Sequence, residues 1–201
     1  NPKSRYTAVD EPLAQQAKQV LEQLLAASDY TVYYRTGAQP RDRYKRLLAD
    51  LYTGDGKSVA AELLERGLAW QVTFIPNDHL AECLADAEQT ARSGRIGLWA
   101  GGLYPPLAVD QISEGGFARL VGRVTEVRVK SDSDGHVSSA ATLTIDGTLA
   151  VKLAKTVAQR YTAEQLQALQ GRRIELRGWV SSRSGDWQLK LTSPYNLTAV
   201  D

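Results

Sequence analysis

Several residue types that would support particular chemistries are scarce in this sequence. Its 201 residues contain no methionine, one cysteine and two histidines. The histidines, His79 and His136, are too distant in sequence to suggest a shared metal site. No serine or threonine has a neighbouring histidine base and an aspartate to orient it, so a nucleophilic hydrolase has no support. No apolar run approaches the roughly 18 residues of a membrane-spanning helix, which argues against a membrane span.

An excess of one charge is missing as well. With 24 basic and 23 acidic side chains the net charge is +1, so no overall field attracts the protein to nucleic acid or to an anionic membrane. Any such binding requires a local basic patch. The content of 43% hydrophobic and 23% charged residues is typical of globular domains with packed cores.

The missing methionine and the single cysteine bear on the origin of the chain. Without an initiator residue, we expect Asn1 to follow a processing event or a truncation, and an upstream segment to have been lost. Cys83 lies among Leu80, Leu84 and Ala87 on the apolar face of a predicted helix. It is either a buried thiol or the former partner of a cysteine further upstream, and the second interpretation implies an oxidising compartment.

The first half of the chain reads as helices separated by short strands. Apolar residues at helical spacing predict a first helix capped by Asp10, and alternating or β-branched segments predict three strands. Three strands are too few for a closed barrel. The predicted elements are a helix at 11–27, strands at 30–35 and 45–52, a helix at 58–66 with Ser58 as cap and Gly67 as stop, a strand at 69–74, and a helix from about Pro76 to Ser93.

Glycine and proline between Ala100 and Gly116 predict a domain boundary. Five strand-like runs follow, with tight turns at Asp134-Gly135, Asp146-Gly147 and Gly185-Asp186. One helix, at 163–169 with Thr162 as its cap, separates the third and fourth strands, which is the order of an OB-fold. The predicted strands are 117–130, 137–145, 149–153, 173–182 and 187–191.

A set of motifs in the first half resembles a known family. The order D-R-Y-K-R (42–46), G-D-G-K, E-R-G-L-A, P-N-D and G-L-W is similar to the second half of a staphylococcal-nuclease-like (thermonuclease) domain. The resemblance implies an α+β, mainly β chain. Residues 1–103 would form an incomplete OB-type nuclease-like barrel with helices that lacks its first strands, and residues 107–201 a second, five-stranded OB-like barrel.

The family resemblance also implies a chemistry. Such enzymes hydrolyse phosphodiesters of DNA or RNA with Ca²⁺, and Arg46 takes the position of one of their two catalytic arginines. Lys45 replaces a glycine of the family pattern, and Arg43, Tyr44 and Lys45 are expected near the substrate. Alternatively, Arg46 is a surface arginine that pairs with Asp42 or Asp50. Ca²⁺ is implied, but only Asp10 and Glu11 precede the first helix and neither suits a metal, so the chain as given is expected to be inactive.

Basic and aromatic residues also alternate in the second half, at Arg123, Arg177, Trp179 and Trp187. This mixture suits single-stranded DNA or RNA, although both tryptophans also suit a barrel core. Two alternatives to an enzyme stay open: a non-catalytic module that binds nucleic acid or protein, and a barrel completed by another segment or a second chain through strand addition. A bacterial, extracytoplasmic protein, periplasmic or secreted, is expected.

Overall fold

A computed structural model describes residues 12–101 and 104–200 of the protein. This part of the chain divides into two compact units, and the division falls between Tyr104 and Pro105. The first unit combines helices with a small sheet, whereas the second consists mostly of strands. None of the helices in the described residues has the length and hydrophobicity that a membrane crossing requires.

The first unit is built from three helices and one β-hairpin in its described residues. The helices are α1 (Pro12–Ala26), α2 (Val59–Glu65) and α3 (Ala81–Ser93), and the strands are β1 (Val32–Arg41) and β2 (Leu47–Thr53). Apolar residues of the three helices and of the turn after α2 supply the buried core: Val20, Val59, Leu64, Leu68, Ala81, Ala87 and Ala91. The predicted cap at Asp10 lies outside the described residues.

Helix α2 begins and ends as its sequence predicts. The Ser58 hydroxyl accepts a hydrogen bond from the Ala61 N–H at 3.3 Å, and Gly67 adopts the left-handed conformation with φ +63°. Gly67 also lies against Gly97, which begins a short 3-10 turn at Gly97–Trp99. The Leu98 N–H donates to the Gly67 carbonyl at 2.8 Å. The E-R-G-L-A and G-L-W motifs therefore meet at a contact between two backbones.

The hairpin differs from the predicted one in its limits. Asp29 and Tyr30 have positive φ values, and the Tyr30 N–H donates to the Leu25 carbonyl. Helix α1 therefore ends in a left-handed turn, and the strand begins only at Val32. It then continues to Arg41 through an irregularity in pairing, well beyond residue 35, where the sequence predicts this strand to end.

The predicted strand at 69–74 is wrong. The Gln71 N–H donates to the Glu88 carboxylate at 2.9 Å, and the Gln71 side chain donates to the Ala81 carbonyl at 2.7 Å. The segment therefore bonds to helix α3 rather than to a neighbouring strand. Phe74, the last residue of the predicted strand, is 46% exposed.

Helix α3 starts later than its sequence predicts, at Ala81. The Asn77 side chain, near the predicted start of this helix, bonds to strand β1, and Leu80 occupies the cap position without a side-chain hydrogen bond. Cys83 is exposed, which contradicts the interpretation of a buried thiol. The buried face of α3 follows Ala81, Ala87, Glu88 and Ala91, and Cys83 lies off this face.

The second unit contains a closed five-stranded barrel, as the OB-fold prediction requires. The strands pair in the order β4-β5-β6-β8-β7, and β7 pairs again with β4 to close the barrel. Their pairing is antiparallel except between β6 and β8, which run parallel. The barrel strands are β4 (Gly116–Arg128), β5 (Ala141–Ile145), β6 (Leu149–Leu153), β7 (Arg173–Arg183) and β8 (Asp186–Leu191).

Alternating apolar residues fill this barrel, because every second side chain of a strand faces inward. Leu120, Leu143, Val151, Leu176 and Leu189 are fully buried. The described residues of the unit also form two short strands, two short α-helices and two 3-10 turns: β3 (Leu107–Ala108), β9 (Leu197–Ala199), α4 (Lys155–Ala158), α5 (Ala163–Gln167), Val109–Gln111 and Pro194–Asn196. Helix α5 carries the predicted cap at Thr162, whereas β3, β9 and α4 were not predicted.

Candidate functional site

The loop between β1 and β2 is organised around one carboxylate. Asp42 Oδ1 accepts hydrogen bonds from the backbone N–H groups of Tyr44 at 2.8 Å and Arg46 at 2.9 Å. Asp42 Oδ2 accepts from Arg46 Nε at 2.6 Å. An aspartate that binds the backbone two residues ahead is a common way to fix a turn. The D-R-Y-K-R motif therefore positions Arg46 through both its backbone and its side chain.

The same contacts set the electrostatics of the loop. Desolvation alone would raise the pKa of Asp42, but the hydrogen bonds from Arg46 and Tyr44 and the charge of Arg46 outweigh it and lower the pKa. The carboxylate therefore stays ionised at neutral pH. The Arg46 side chain is 73% exposed, so the guanidinium edge away from Asp42 reaches solvent. Arg46 thus pairs with Asp42, as expected of a surface arginine, and its remaining N–H donors still face solvent.

Lys45 occupies the position at which the family pattern has glycine. Its φ is +65°, a left-handed conformation that costs a non-glycine residue about 1–2 kcal/mol. The Lys45 N–H donates to the Asp42 carbonyl at 2.9 Å, and its own carbonyl accepts from Arg41 Nη1 at 2.8 Å. This local reversal returns the chain toward Asp42, which explains why a glycine suits the position.

Cations surround an exposed tyrosine in this loop. Tyr44 is 63% exposed, and the guanidinium carbons of Arg43 and Arg46 lie 4.7 Å and 5.2 Å from its ring centroid. Such contacts contribute about 0.5–1 kcal/mol each at exposed sites. With Lys45 and Arg41, four cations occupy one exposed loop, and we name residues 41–46 the basic loop. The sequence analysis did not single out Arg41, whose role depends on the turn geometry.

Asn77 of the P-N-D motif fixes the C-terminal part of strand β1, next to this loop. Its amide donates to the Gln39 carbonyl at 2.8 Å, and its oxygen accepts from the Gln39 N–H at 2.8 Å. Asn77 also lines a cavity of about 220 Å³ together with Asp50 and Phe74. Asp50 lies 3.1 Å from His79 Nε2. Sequence reasoning missed the roles of Asn77 and Asp50, because both depend on contacts between segments distant in sequence.

The carboxylates described in the first unit do not form a calcium site. Calcium requires several oxygen ligands around one point, and the described residues contain no group of three or more His, Cys, Asp or Glu side chains that could hold a metal. The acidic side chains nearest the candidate motifs already have protein partners: Asp42 with Arg46, Asp50 with His79, Asp55 with Lys57, Glu62 with Arg66 and Glu88 with Gln71. Asp10 and Glu11 lie outside the described residues.

The four candidate residues of the second unit do not form one site. Arg177 is only 6% exposed and lies 3.3 Å from Glu175, which also accepts from Arg119 Nε at 2.8 Å. Burial in this cluster makes Arg177 structural, because a buried charge requires a partner. Arg123 is exposed and donates to the Gly171 carbonyl.

Neither tryptophan of this unit is a core residue. Trp179 is 48% exposed and faces outward from β7, since its neighbours Gly178 and Val180 are buried. Trp187 is half-buried and lies on the same, inward-facing side of β8 as Leu189 and Leu191. The two rings therefore lie on opposite faces of the β7–β8 hairpin, so they cannot form a common stacking surface.

Comparison with known proteins adds a family assignment to this geometry. Residues 1–101 match the model of the family described as staphylococcal nuclease homologue. This match spans the basic loop and the E-R-G-L-A, P-N-D and G-L-W motifs. A search of curated proteins found no match. The family match covers half of the sequence, and the chain therefore belongs to the staphylococcal nuclease homologue family.

Proposed function

We propose that the first unit binds the phosphodiester backbone of DNA or RNA through its basic loop. In this proposal Arg46 contacts a phosphate, and Arg43, Tyr44 and Lys45 contact the neighbouring nucleotide. The observation that carries the proposal is the fixation of Arg46 by Asp42 at 2.6 Å, in a chain of a nuclease-like family. A pre-oriented guanidinium binds phosphate at a lower entropic cost than a mobile one.

We further propose that the chain as given cleaves its ligand very weakly or not at all. The family is generally calcium-dependent, and the described carboxylates do not provide the ligands for this ion. Where a family enzyme hydrolyses its substrate, the metal and the two arginines offset the charge that develops on the phosphate. Of that set, the basic loop supplies one arginine. The described residues therefore support phosphate binding, and they do not support efficient hydrolysis.

Arg46→Ala tests this proposal, with Arg66→Ala as a matched control. Arg66 is also exposed and pairs with an acid four residues away, Glu62 at 3.0 Å, but it lies at the C-terminal end of α2 rather than in the basic loop. The affinity of the full chain for labelled single-stranded DNA and RNA of one sequence is measured over a range of salt concentrations. We expect Arg46→Ala to weaken binding and to reduce the salt slope by about 0.7, the value for one phosphate contact on a single strand.

The control and a cleavage assay complete the test. Arg66→Ala should bind like the parent protein, and equal slopes for Arg46→Ala and the parent would refute the role of Arg46.

The same oligonucleotides are incubated with calcium or with a chelator and separated on a gel. Efficient calcium-dependent cleavage would contradict the predicted inactivity, and its loss in Arg46→Ala would then identify Arg46 as a catalytic residue.

A second candidate function is strand addition to the β1–β2 hairpin. In the described part of the chain these two strands form a sheet of their own, and apart from that pairing β2 makes one isolated bridge, between Tyr52 and Ser58. They also expose apolar side chains, since Tyr33 is 62%, Tyr34 63% and Leu51 40% exposed. Apolar strands with exposed edges favour pairing with a further strand. Sedimentation of the full chain tests one form of this candidate: a concentration-dependent dimer supports a second copy as the partner, and a monomer at all concentrations contradicts it.

A further inference from the structure

A row of outward-facing side chains crosses the barrel of the second unit. Thr142 of β5 pairs with Lys152 of β6, and Lys152 pairs with Lys190 of β8. Trp179 of β7 lies beside Lys190, because Val180 pairs with Leu189, and Phe117 of β4 pairs with Trp179. Side chains that share one face of paired strands are neighbours. The row therefore places two lysines next to an exposed indole.

This row borders a groove of about 530 Å³ on the outer surface of the barrel. Trp179, Lys152 and Lys190 line the groove, and lysine side chains combine an apolar stem with a charged ammonium group. Ser181 and Gln188 add polar groups, and none of the described residues that line the groove is acidic. We name this groove the Trp179 groove. It combines an aromatic face, apolar surface and positive charge.

The two lysines are arranged in a way that favours a bound anion. Lys152 and Lys190 are directly opposite each other on neighbouring strands, and like charges at such positions destabilise a sheet. Lys152 Nζ donates to Gln188 Oε1 at 2.7 Å, which provides a hydrogen bond but no opposite charge. Neither lysine makes an ion pair within residues 12–101 and 104–200. A phosphate between them would relieve the repulsion.

Trp179 is arranged to receive a planar group. Its ring packs edge-to-face with Phe117 at a centroid distance of 5.1 Å and an interplanar angle of 67°, while 48% of the residue stays exposed. The contact with Phe117 restricts the indole without covering all of it. Single-stranded nucleic acids bind to surfaces of this kind, because basic side chains contact the phosphates and any base can stack on an aromatic ring.

We propose that the Trp179 groove binds single-stranded nucleic acid, with a base on Trp179 and a phosphate between Lys152 and Lys190. This site goes beyond the function proposed for the basic loop, since it lies in the other unit and uses different residues. Uncharged oligosaccharides also bind exposed aromatic rings, but they carry no charge for the two lysines to bind. The observations therefore favour a ligand that carries both rings and negative charge.

The test measures the affinity of the full chain for fluorescein-labelled oligothymidine by fluorescence polarisation. Trp179→Ala should weaken binding about 5-fold to 150-fold, the range for loss of one base–aromatic stack. Trp179→Phe keeps an aromatic face and should retain most of the affinity. The double variant Lys152→Gln/Lys190→Gln should reduce the salt slope by about 1.4, which corresponds to two contacts on a single strand.

Two controls show whether the oligonucleotide binds in the Trp179 groove. Arg173→Gln removes an exposed charge at the other end of β7 and should leave affinity and slope unchanged. All variants are also measured in the Arg46→Ala background. If the basic loop does not bind the oligonucleotide, the results therefore differ from those expected if the Trp179 groove does not bind it. Unchanged affinity in Trp179→Ala in both backgrounds would overturn the proposal. The proposal would also be overturned, and a glycan site favoured, if a neutral oligosaccharide displaces the oligonucleotide and oligonucleotide binding does not depend on salt.

Discussion

The contact between Gly67 and Gly97 yields a quantitative prediction for Gly97→Ala. Gly97 has φ +58°, and an added Cβ would overlap the Gly67 carbonyl oxygen and approach the backbone of Arg66. The positive φ costs about 1–2 kcal/mol for alanine. Because the overlapping atoms are backbone, relief requires a shift of the turn after α2, and such overpacking costs a further 1–3 kcal/mol, roughly.

Gly56→Ala is the matched control for this substitution. Gly56 has a similar backbone conformation, with φ +83°, but no atom lies within 4 Å of an added Cβ. It therefore carries the conformational cost without the overlap. We expect Gly97→Ala to destabilise the first unit by about 1–3 kcal/mol more than Gly56→Ala does.

Hydrogen exchange measured by mass spectrometry separates the two units within one chain. The expected difference corresponds to a roughly 5-fold to 150-fold loss of protection in peptides that cover residues 59–101. Peptides from residues 105–200 serve as the internal reference. Equal protection of 59–101 in the two variants would refute the argument that the E-R-G-L-A and G-L-W motifs meet at a tight backbone contact.

Two further predictions concern the β1–β2 hairpin and the turn that follows it. Lys45→Gly should stabilise the first unit by about 0.5–1 kcal/mol, because relief of the left-handed strain exceeds the added chain entropy of glycine; decreased protection of the hairpin in hydrogen exchange would contradict this. Hydrogen bonds from Thr53 and Lys57 lower the pKa of Asp55 to about 2. Its contribution to stability is therefore present above about pH 4 and lost as the pH falls toward 2. An NMR titration of the Asp55 carboxyl carbon should show Thr53→Val moving the pKa up toward 3.8, and an unchanged midpoint would exclude the Thr53 hydrogen bond as its cause.

Much of the fold could be predicted from sequence because its signals are local. Ser58 and Gly67 mark the ends of α2 within a few residues of each other, and Thr162 marks the start of α5 in the same way. The five barrel strands are separated by turn residues and alternate in hydrophobicity. Strands β3 and β9 escaped notice because they have two and three residues, too short for alternation to be visible.

The sequence predictions were wrong where contacts between residues distant in sequence determine the structure. The segment 69–74 has apolar residues typical of a strand, but Gln71 and Glu88 connect it to α3 across 17 positions. Trp179 was expected either in the core or in a stacking surface shared with Arg177, but Arg177 is buried and Trp179 is exposed. Both residues lie on the same face of β7, and Arg177 is buried in the cluster that it forms with Glu175 and Arg119, which the sequence alone does not show.

Of the two candidate sites, one could be identified from the sequence and the other could not. The basic loop is contiguous, so residues 42–46 could be identified as a motif, and its key contact, Asp42 with Arg46, spans four positions. The Trp179 groove draws on four strands between residues 140 and 190, so the sequence does not show that Lys152 and Lys190 lie side by side.

An NMR titration of the full, isotope-labelled chain with a short single-stranded oligonucleotide tests the central claim most directly. If the basic loop binds phosphodiesters, the backbone amides of residues 41–46 and the Arg46 Nε–H should shift in a saturable manner, and high salt should reverse the shifts. If the oligonucleotide shifts other resonances while the Arg46 Nε–H and its loop stay unchanged, the proposed function of this unit is wrong.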